Sequence, residues 1–462
     1  VDFNIEPLML HKLSTQGPKL AVADVNGDDL DDFYLCGAKS QPGQLALATS
    51  KDWKLSKQAA FESDANCEDV DAAFFDAESD GDIDLFVISG GGEYRDGIKQ
   101  LEHRLYLNDG RGGFTKSTQV WPATNGACAV PGDFNGDGTT DLFIGSRSVV
   151  LSYGRSPHSF IFLNDGKGNF RDATTEICPQ IDTMGMVTDA VWLPAERRLV
   201  VVGEWMPLTV ISMSDNTRSS IYQLPDSEGW WNTLSAADMD SDGDLDLLAG
   251  NVGLNINLAA SSDEPVELFV KDFDGNGATE PVLTHYRQGK RYCFASKDEL
   301  VGQMPDLKKQ FLNYAKYANS IFEQVFDQKM LHGAIKRRAV TFASTYFENL
   351  GSGRFKPVPL SVEAQISPIH AFLPGDFDGD GIKDALAVGN FYANQPAVGK
   401  LDASNGWFLT GNGKGQFSVH AADRNGFRVP GEGRDIQPIK QANNKFRVLV
   451  ARNNDSVLEF EW

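Results

Sequence analysis

Residues 133–145 read DFNGDGTTDLFIG. Asp133, Asn135, Asp137 and Asp141 stand at positions 1, 3, 5 and 9 of this stretch, so alternate side chains of one tight turn can aim oxygens at a common point. A hard cation such as Ca²⁺ takes about six to eight oxygen ligands at roughly 2.3–2.6 Å. Gly138, at position 6, lets the chain turn without a Cβ clash, and the carbonyl of Thr139 can add one more oxygen. An EF-hand loop begins the same way but needs a Glu at position 12 and a helix on each side. Position 12 here is Ile144, and LFIG is a short apolar run closed by Gly, which reads as a buried strand. The stretch is therefore the turn of a β-hairpin.

The pattern occurs six times. The expected ligand positions are Asp24, Asn26, Asp28 and Asp32; Asp76, Glu78, Asp80 and Asp84; Asp133, Asn135, Asp137 and Asp141; Asp238, Asp240, Asp242 and Asp246; Asp272, Asp274, Asn276 and Glu280; and Asp376, Asp378, Asp380 and Asp384. Position 12 is Leu35, Val87, Ile144, Ala249, Leu283 and Ala387, so the EF-hand reading fails each time. Up to six Ca²⁺ ions are expected. Six divalent ions would cancel roughly half of the formal charge of −22. The acidity is thus largely site chemistry, and a surface this acidic repels phosphate backbones, which excludes nucleic acid as a partner.

Self-similarity at a fixed period decides the architecture. Each loop is followed by a strand-like run, as in DLFVISG, DLFIG, DLLAG and DALAVG. A second signature often comes next: RLYLNDGRGGF (104–114), FIFLNDGKGNF (160–170), TYFENLGSGRF (345–355) and WFLTGNGKGQF (407–417). Each is a strand, an Asn/Asp/Gly turn and a strand opened by Phe, a second hairpin. One unit is then four short antiparallel strands, one blade of a β-propeller. The fold expected is all-β, a single propeller over residues 1–462. Residues 185–211 and 431–462 keep the strands but have lost the acids. The loops at Asp238 and Asp272 lie too close together for two blades and are read as two hairpins of one, which makes seven blades, with eight as the alternative. The first residues, VDFNIEPLMLHKL, are expected to pair with the last blade. Residues 296–335 break the pattern: Leu300, Met304, Leu307, Phe311, Ala315, Ala318, Phe322 and Val325 recur at helical spacing behind a Ser296/Glu299 capping box, a helical insertion whose apolar stripe is packing.

Five cysteines at wide spacing, Cys36, Cys67, Cys128, Cys178 and Cys293, show neither a zinc pattern nor a disulfide framework and read as buried thiols. No apolar run is long enough to span a membrane. No signal-peptide pattern opens the chain, which reads as a processed segment or one part of a larger protein.

These motifs resemble the FG-GAP/VCBS repeat, the unit of the integrin α-subunit propeller and of many secreted bacterial propellers, and the resemblance covers nearly the whole chain. The stretches GWWNTLSAADMDSDGDLDLLAGNVGLN and VVVGEWMPL look like the bacterial branch often found with ASPIC/UnbV domains, although no separate domain of that kind is read here. The resemblance implies Ca²⁺ loops on one face, a ligand or partner on the other, and binding rather than catalysis.

The repeat geometry says which residues share the opposite face. An acidic loop joins the first two strands at one rim, so second strands end, and first strands begin, at the other. Arg147, Glu204, Trp205, Asn251, Asn255, Asn390, Tyr392 and Arg452 follow second strands, and Trp230, Trp231 and Arg434 belong to entry segments. Aromatic faces beside Asn and Arg suit a protein, peptide or glycan partner. The expected function is a non-catalytic, calcium-stabilised binding module of a bacterial cell surface, or a secreted one. Calcium of millimolar order outside cells would fill even weak sites. A polysaccharide lyase or hydrolase on the same scaffold is the alternative, disfavoured because the seven His do not cluster and no GxSxG motif occurs. An architectural subunit of an outer-membrane surface complex is the third.

Overall fold

The computed structural model describes residues 2–49, 51–95, 97–213, 219–420, 426–441 and 446–462. Seven antiparallel sheets stand in a ring. Blade 1 comprises Leu20–Ala23, Asp32–Leu35, Gln44–Ala48 and Trp53–Ser56; blade 2, Asp69–Phe75, Asp84–Ser89, Arg104–Asn108 and Phe114–Lys116; blade 3, Gly126–Gly132, Asp141–Ser146, Phe160–Asn164 and Phe170–Asp172. Blade 4 comprises Met186–Leu193, Arg198–Met206, Thr209–Ser212 and Ser220–Gln223, with Gly229–Trp230 paired to the far end of its second strand. Blade 5 is built from Thr233–Ala237, Asp246–Gly250, Thr345–Asn349 and Phe355–Pro359; blade 6 from Ile369–Gly375, Asp384–Gly389, Trp407–Gly411 and Phe417–His420; blade 7 from Gly433–Lys440, Phe446–Arg452 and Leu458–Glu461. The first strand of each blade touches the first strand of the next, and blade 7 returns to blade 1.

The second strands are apolar throughout because both of their faces are covered. In blade 2, Leu85 and Val87 pack toward Tyr34 and Leu45 of blade 1, while Phe86 and Ile88 pack toward Leu142 and Ile144 of blade 3. The same two-faced layer recurs at every joint, ending with Leu449 and Ala451 of blade 7 against Leu20, Phe33 and Ala46 of blade 1. A period of two with both faces buried gives a continuous hydrophobic run, which is why the runs after the acidic loops carry no polar alternation.

Three expectations are corrected. The Asp272 hairpin is not part of a ring blade. Its strands, Val266–Lys271 and Glu280–Arg287, form a separate sheet with Lys290–Cys293 and Ile335–Ala339, inserted between the second and third strands of blade 5. Blade 5 is instead completed by Thr345–Asn349, the strand that carries the second signature. The ring therefore has seven blades, with an eighth sheet outside it. The N-terminal residues do not join the last blade. They cross the opposite rim, where Lys12 donates its backbone N–H to Ala393 and Gln395 to Leu10. The ring closes by side-on packing and by Asp435, whose Oδ2 accepts the Leu20 N–H at 2.8 Å. The helical insertion after Ser296 consists of five short helices, Lys297–Gln303, Leu307–Gln310, Tyr314–Ala318, Phe322–Val325 and Gln328–Leu331, interrupted at Pro305 and at the Asn313 and Asp327 caps, and its apolar stripe packs only in part. The capping box forms. Leu300, Met304, Leu307, Phe311, Phe322 and Val325 pack on Phe269 and Val282 of the inserted sheet, whereas Ala315 and Ala318 are exposed.

The worn loop of blade 4 is a short Pro194–Glu196 turn. That of blade 7 falls on 442–445, outside the described residues. All five cysteines are free thiols, and no described helix is long and apolar enough to cross a membrane.

Candidate functional site

Five acidic loops hang from one rim of the ring, each joining the first two strands of blades 1, 2, 3, 5 and 6. Their local architecture repeats. The position-9 acid is buried and accepts two backbone N–H groups, one from position 2 of its loop and one from the third strand. Asp141 accepts from Phe134 at 3.0 Å and Asn164 at 2.9 Å; Asp84 from Ala77 and Asn108; Asp246 from Met239 and Asn349; Asp384 from Phe377 and Gly411; Asp32 from Val25 and Ala48. The position-1 acid turns inward to its own loop: Asp376 accepts Gly379 N–H at 2.8 Å and Gly381 N–H at 3.0 Å. In blades 2, 3 and 5 the Asn of the second signature reaches the loop of the preceding blade. Asn108 donates to the Val25 carbonyl and Asn164 to that of Ala77.

The donor sets fit a hard cation. Oxygens of Asp238, Asp240 and Asp246 lie within 4.8 Å of one another, as do those of Asp272, Asp274 and Glu280 and those of Asp376, Asp378 and Asp384. These are all-oxygen sets, which suit Ca²⁺ rather than a softer metal. Asp238 also has a buried Oδ1 with no hydrogen-bond partner. Burial, then the neighbouring loop carboxylates, push the carboxyls of Asp32, Asp84 and Asp141 up to about 6. A divalent ion would relieve that repulsion. At the other loops the position-3 side chain differs: Asn26 and Asn135 hydrogen-bond Asp32 and Asp137, and Glu78 leans toward Gly168 of blade 3.

The sixth loop lies elsewhere. The inserted sheet stands on the opposite rim, where Arg337 donates to the Gly154 carbonyl and the Ser156 hydroxyl, and Val340 N–H to the Glu228 carbonyl. Its Asp272–Thr279 turn borders a cleft with Glu6, Arg95 and Leu151. The two-face division therefore holds for five loops and not for Asp272, Asp274, Asn276 and Glu280.

On the opposite rim the channel opens into a cavity walled by the N-terminal segment, Arg147 of blade 3 and the loops of blades 4–6. Arg147, Glu204 and Trp230 line it, and Arg434 lines a second cavity that shares Gln16, Arg147, Asn232 and His370 with the first. Glu204 is the hub: it accepts from Arg147 Nη2 at 2.8 Å and from Tyr153 OH at 3.0 Å, and pairs with His11 at 2.9 Å. Burial works to raise its carboxyl, but His11, Arg147 and Tyr153 outweigh it and hold it well below the usual carboxylate range. Trp205 is buried beside it at φ +60°, a conformation a bulky residue rarely adopts, anchored by its Nε1–H to Tyr153 at 2.9 Å and by edge contact with Trp230.

The other expected face residues build the rim rather than open onto the cavity. Trp231 is fully buried and donates to the Ser227 carbonyl. Asn251 and Asn390 are buried loop caps, and Asn255 donates to the Ile366 carbonyl. Tyr392 is half-buried under Lys400, and Arg452 is spent on the Pro430 and Ser456 carbonyls and on Asp455.

Apart from Arg434, sequence reasoning missed the residues that the inner strands aim into the channel. Each first strand of blades 2, 3, 4, 6 and 7 carries a β-bulge, and the unpaired residues are Val70, Ala127, Thr188, His370 and Arg434. All five line the channel, with Lys19 from blade 1 and Asn232 from blade 5. A bulge re-aims one side chain. The signal was present: Val70, Ala127, Asn232 and His370 each stand six residues before the first Asp of their loop. Next along the strand, Asp71, Asp189 and Asp435 reach the backbone N–H of the following blade, at Ala129, Leu234 and Leu20, each at 2.8 Å.

The ring and its repeated acidic hairpins define a seven-bladed β-propeller. Residues 76–144, from the loop of blade 2 into the second strand of blade 3, match the sequence profile of the FG-GAP-like repeat family. No curated protein matches the chain. Among solved structures, Saccharomyces cerevisiae Sqt1 aligns with a TM-score of 0.44 and 10% identity, over 98% of this chain and 96% of that one. The V. cholerae biofilm matrix protein Bap1 aligns at 0.40 and 11%, over 98% and 88%. Chaetomium thermophilum Sqt1, bound to the N-terminus of the ribosomal protein L10, aligns at 0.42 and 10%, over 99% and 100%.

Proposed function

We propose that the chain is a calcium-stabilised, non-catalytic interaction module that binds a protein, peptide or glycan partner at its channel mouth, outside the cytoplasm. The observation that carries this reading is the separation of tasks across the ring. Five acidic loops brace one rim, and the other rim gathers Arg147, Glu204, Trp230 and Arg434 around a cavity. A blade of three or four short strands has little core of its own, so a cation that ties its hairpin and offsets carboxylate repulsion contributes directly to folding. The mouth's ionisable groups are engaged with one another, which favours a rigid recognition surface over acid–base chemistry: Glu204 is held ionised by its three partners, and Glu432 accepts hydrogen bonds from Arg434, Tyr392 N–H and Asn453. An extracytoplasmic setting follows from calcium supply.

The test is calcium stoichiometry by atomic emission on the purified protein, with melting curves in calcium and in chelator and partner capture by wild type and Trp230→Ala. Several ions per chain, a large drop in melting temperature in chelator and partner loss in the variant support the reading. No bound calcium and no effect of chelator would overturn it.

A further inference from the structure

The mouth cavity has unequal hydrogen-bonding capacity. The carboxylates paired with its arginines are engaged: both oxygens of Glu204 and both of Glu432 accept hydrogen bonds as described above. Its donors are not. Arg147, 8% exposed, spends Nη2 on Glu204 while its buried Nε–H has no partner. Arg434, 1% exposed, gives Nη2 to Glu432 and meets His370 at Nη1, and its Nε–H is also unpartnered. The Trp230 Nε1–H is buried and unpartnered as well. A guanidinium has five N–H donors, so each Arg can serve a second carboxylate without leaving its first.

Lys19, Arg147 and Arg434 converge on His370, which burial, then Arg434, Lys19 and Arg147, keep neutral. Burial works to lower the Lys19 ammonium, but Asp435, Asp189 and Asp71 outweigh it and raise it, so that charge is taken up inside the channel and Arg147 and Arg434 are left as the cations with spare donors. The outer wall is apolar: Leu10, Val252, Leu258, Phe391 and Leu401 surround the entrance.

We propose that this cavity binds the carboxylate of an otherwise apolar ligand, with Arg147 and Arg434 anchoring the anion and the entrance wall holding the apolar body. Such a group is offered by a small acyl or aryl carboxylic acid or by a peptide C-terminus ending in an apolar residue. The inference rests on the mouth being the binding face.

The experiment is isothermal titration of the calcium-loaded protein with octanoate, octanamide, and a tripeptide ending in Leu with a free or an amidated C-terminus. Octanoate is expected to bind at one site at least about tenfold more tightly than octanamide, since a charge-assisted pair is about twice as strong as a neutral one. Tighter binding of the free-acid peptide identifies a peptide C-terminus as the source; tighter binding of octanoate identifies a small acid. Arg147→Gln should abolish the preference for acid over amide. Val252→Trp, which fills the cavity without changing charge, should abolish binding of both. Equal affinity for acid and amide, no saturable binding of any probe, or undiminished binding by Val252→Trp would overturn the proposal. The module reading is judged separately. If the probes fail while Trp230→Ala still loses the partner, only the ligand class falls; if that variant also keeps the partner, the mouth reading falls.

Discussion

Aspartates of one loop differ in what they do without calcium, and that difference tests the metal reading. In the loop of blade 6, Asp384 is 1% exposed and accepts Phe377 N–H at 3.0 Å and Gly411 N–H at 2.9 Å, so it joins the first loop residues to the third strand. Asp378 is exposed, and its one hydrogen bond is an exposed contact with Asp380 N–H at 3.1 Å. Asp384→Ala leaves two buried donors unpaired, about 1–3 kcal/mol each, and should destabilise the protein by roughly 2–6 kcal/mol whether or not calcium is present. Asp378→Ala should be within about 0.5 kcal/mol of wild type in chelator. In calcium it should lose the stabilisation of a filled site, about 2.7 kcal/mol at a hundredfold excess over the dissociation constant. The assay is calorimetric melting of wild type and both variants in calcium and in chelator, with calcium counted by equilibrium dialysis. The bound count should fall by one in Asp378→Ala. If Asp378→Ala is equally harmless in both conditions and the count is unchanged, the loop is a hydrogen-bonded turn and the metal assignment fails there.

Asn164→Ala removes donors to the Ala77 and Thr140 carbonyls and should cost about 1–3 kcal/mol, seen as a lower melting temperature, whereas exposed Asn169→Ala should stay within about 0.5 kcal/mol. Burial, then Glu93, Asp2 and Asp69, raise the Glu68 carboxyl to about 8. A raised carboxyl favours the folded state fully below its unfolded value, near 4.5, and this contribution is lost as pH rises through about 8. Glu68→Gln should therefore melt higher than wild type at pH 8–9 and converge with it near pH 5, and a constant difference across that range would refute the assignment. Thiol reductant should leave the melting temperature unchanged, because all five cysteines are free.

The repeat, the antiparallel blade and the acidic hairpin turns were legible in the sequence, because a hairpin turn and the strands it joins are local. Position spacing places the loop oxygens together, and the apolar run after each loop reports a strand buried on both faces. Local rules also identified the Ser296 cap, which needs only the first turn of a helix.

What pairs with what across the ring was decided only by the tertiary structure. Asp272 begins a loop indistinguishable in pattern from the others, yet its hairpin finds its partner strands at Lys290–Cys293 and Ile335–Ala339 and sits on the opposite rim. The loop pattern contains no information about which strand edge is free to receive it. The mouth was half legible. Arg147, Glu204 and Trp230 follow from counting strands, but His11 reaches Glu204 from a segment 193 positions away, and Lys19, His370 and Arg434 meet only because the ring closes. Local chain geometry is written in neighbouring residues; a channel lined by one residue from each blade exists only when all seven inner strands are in place.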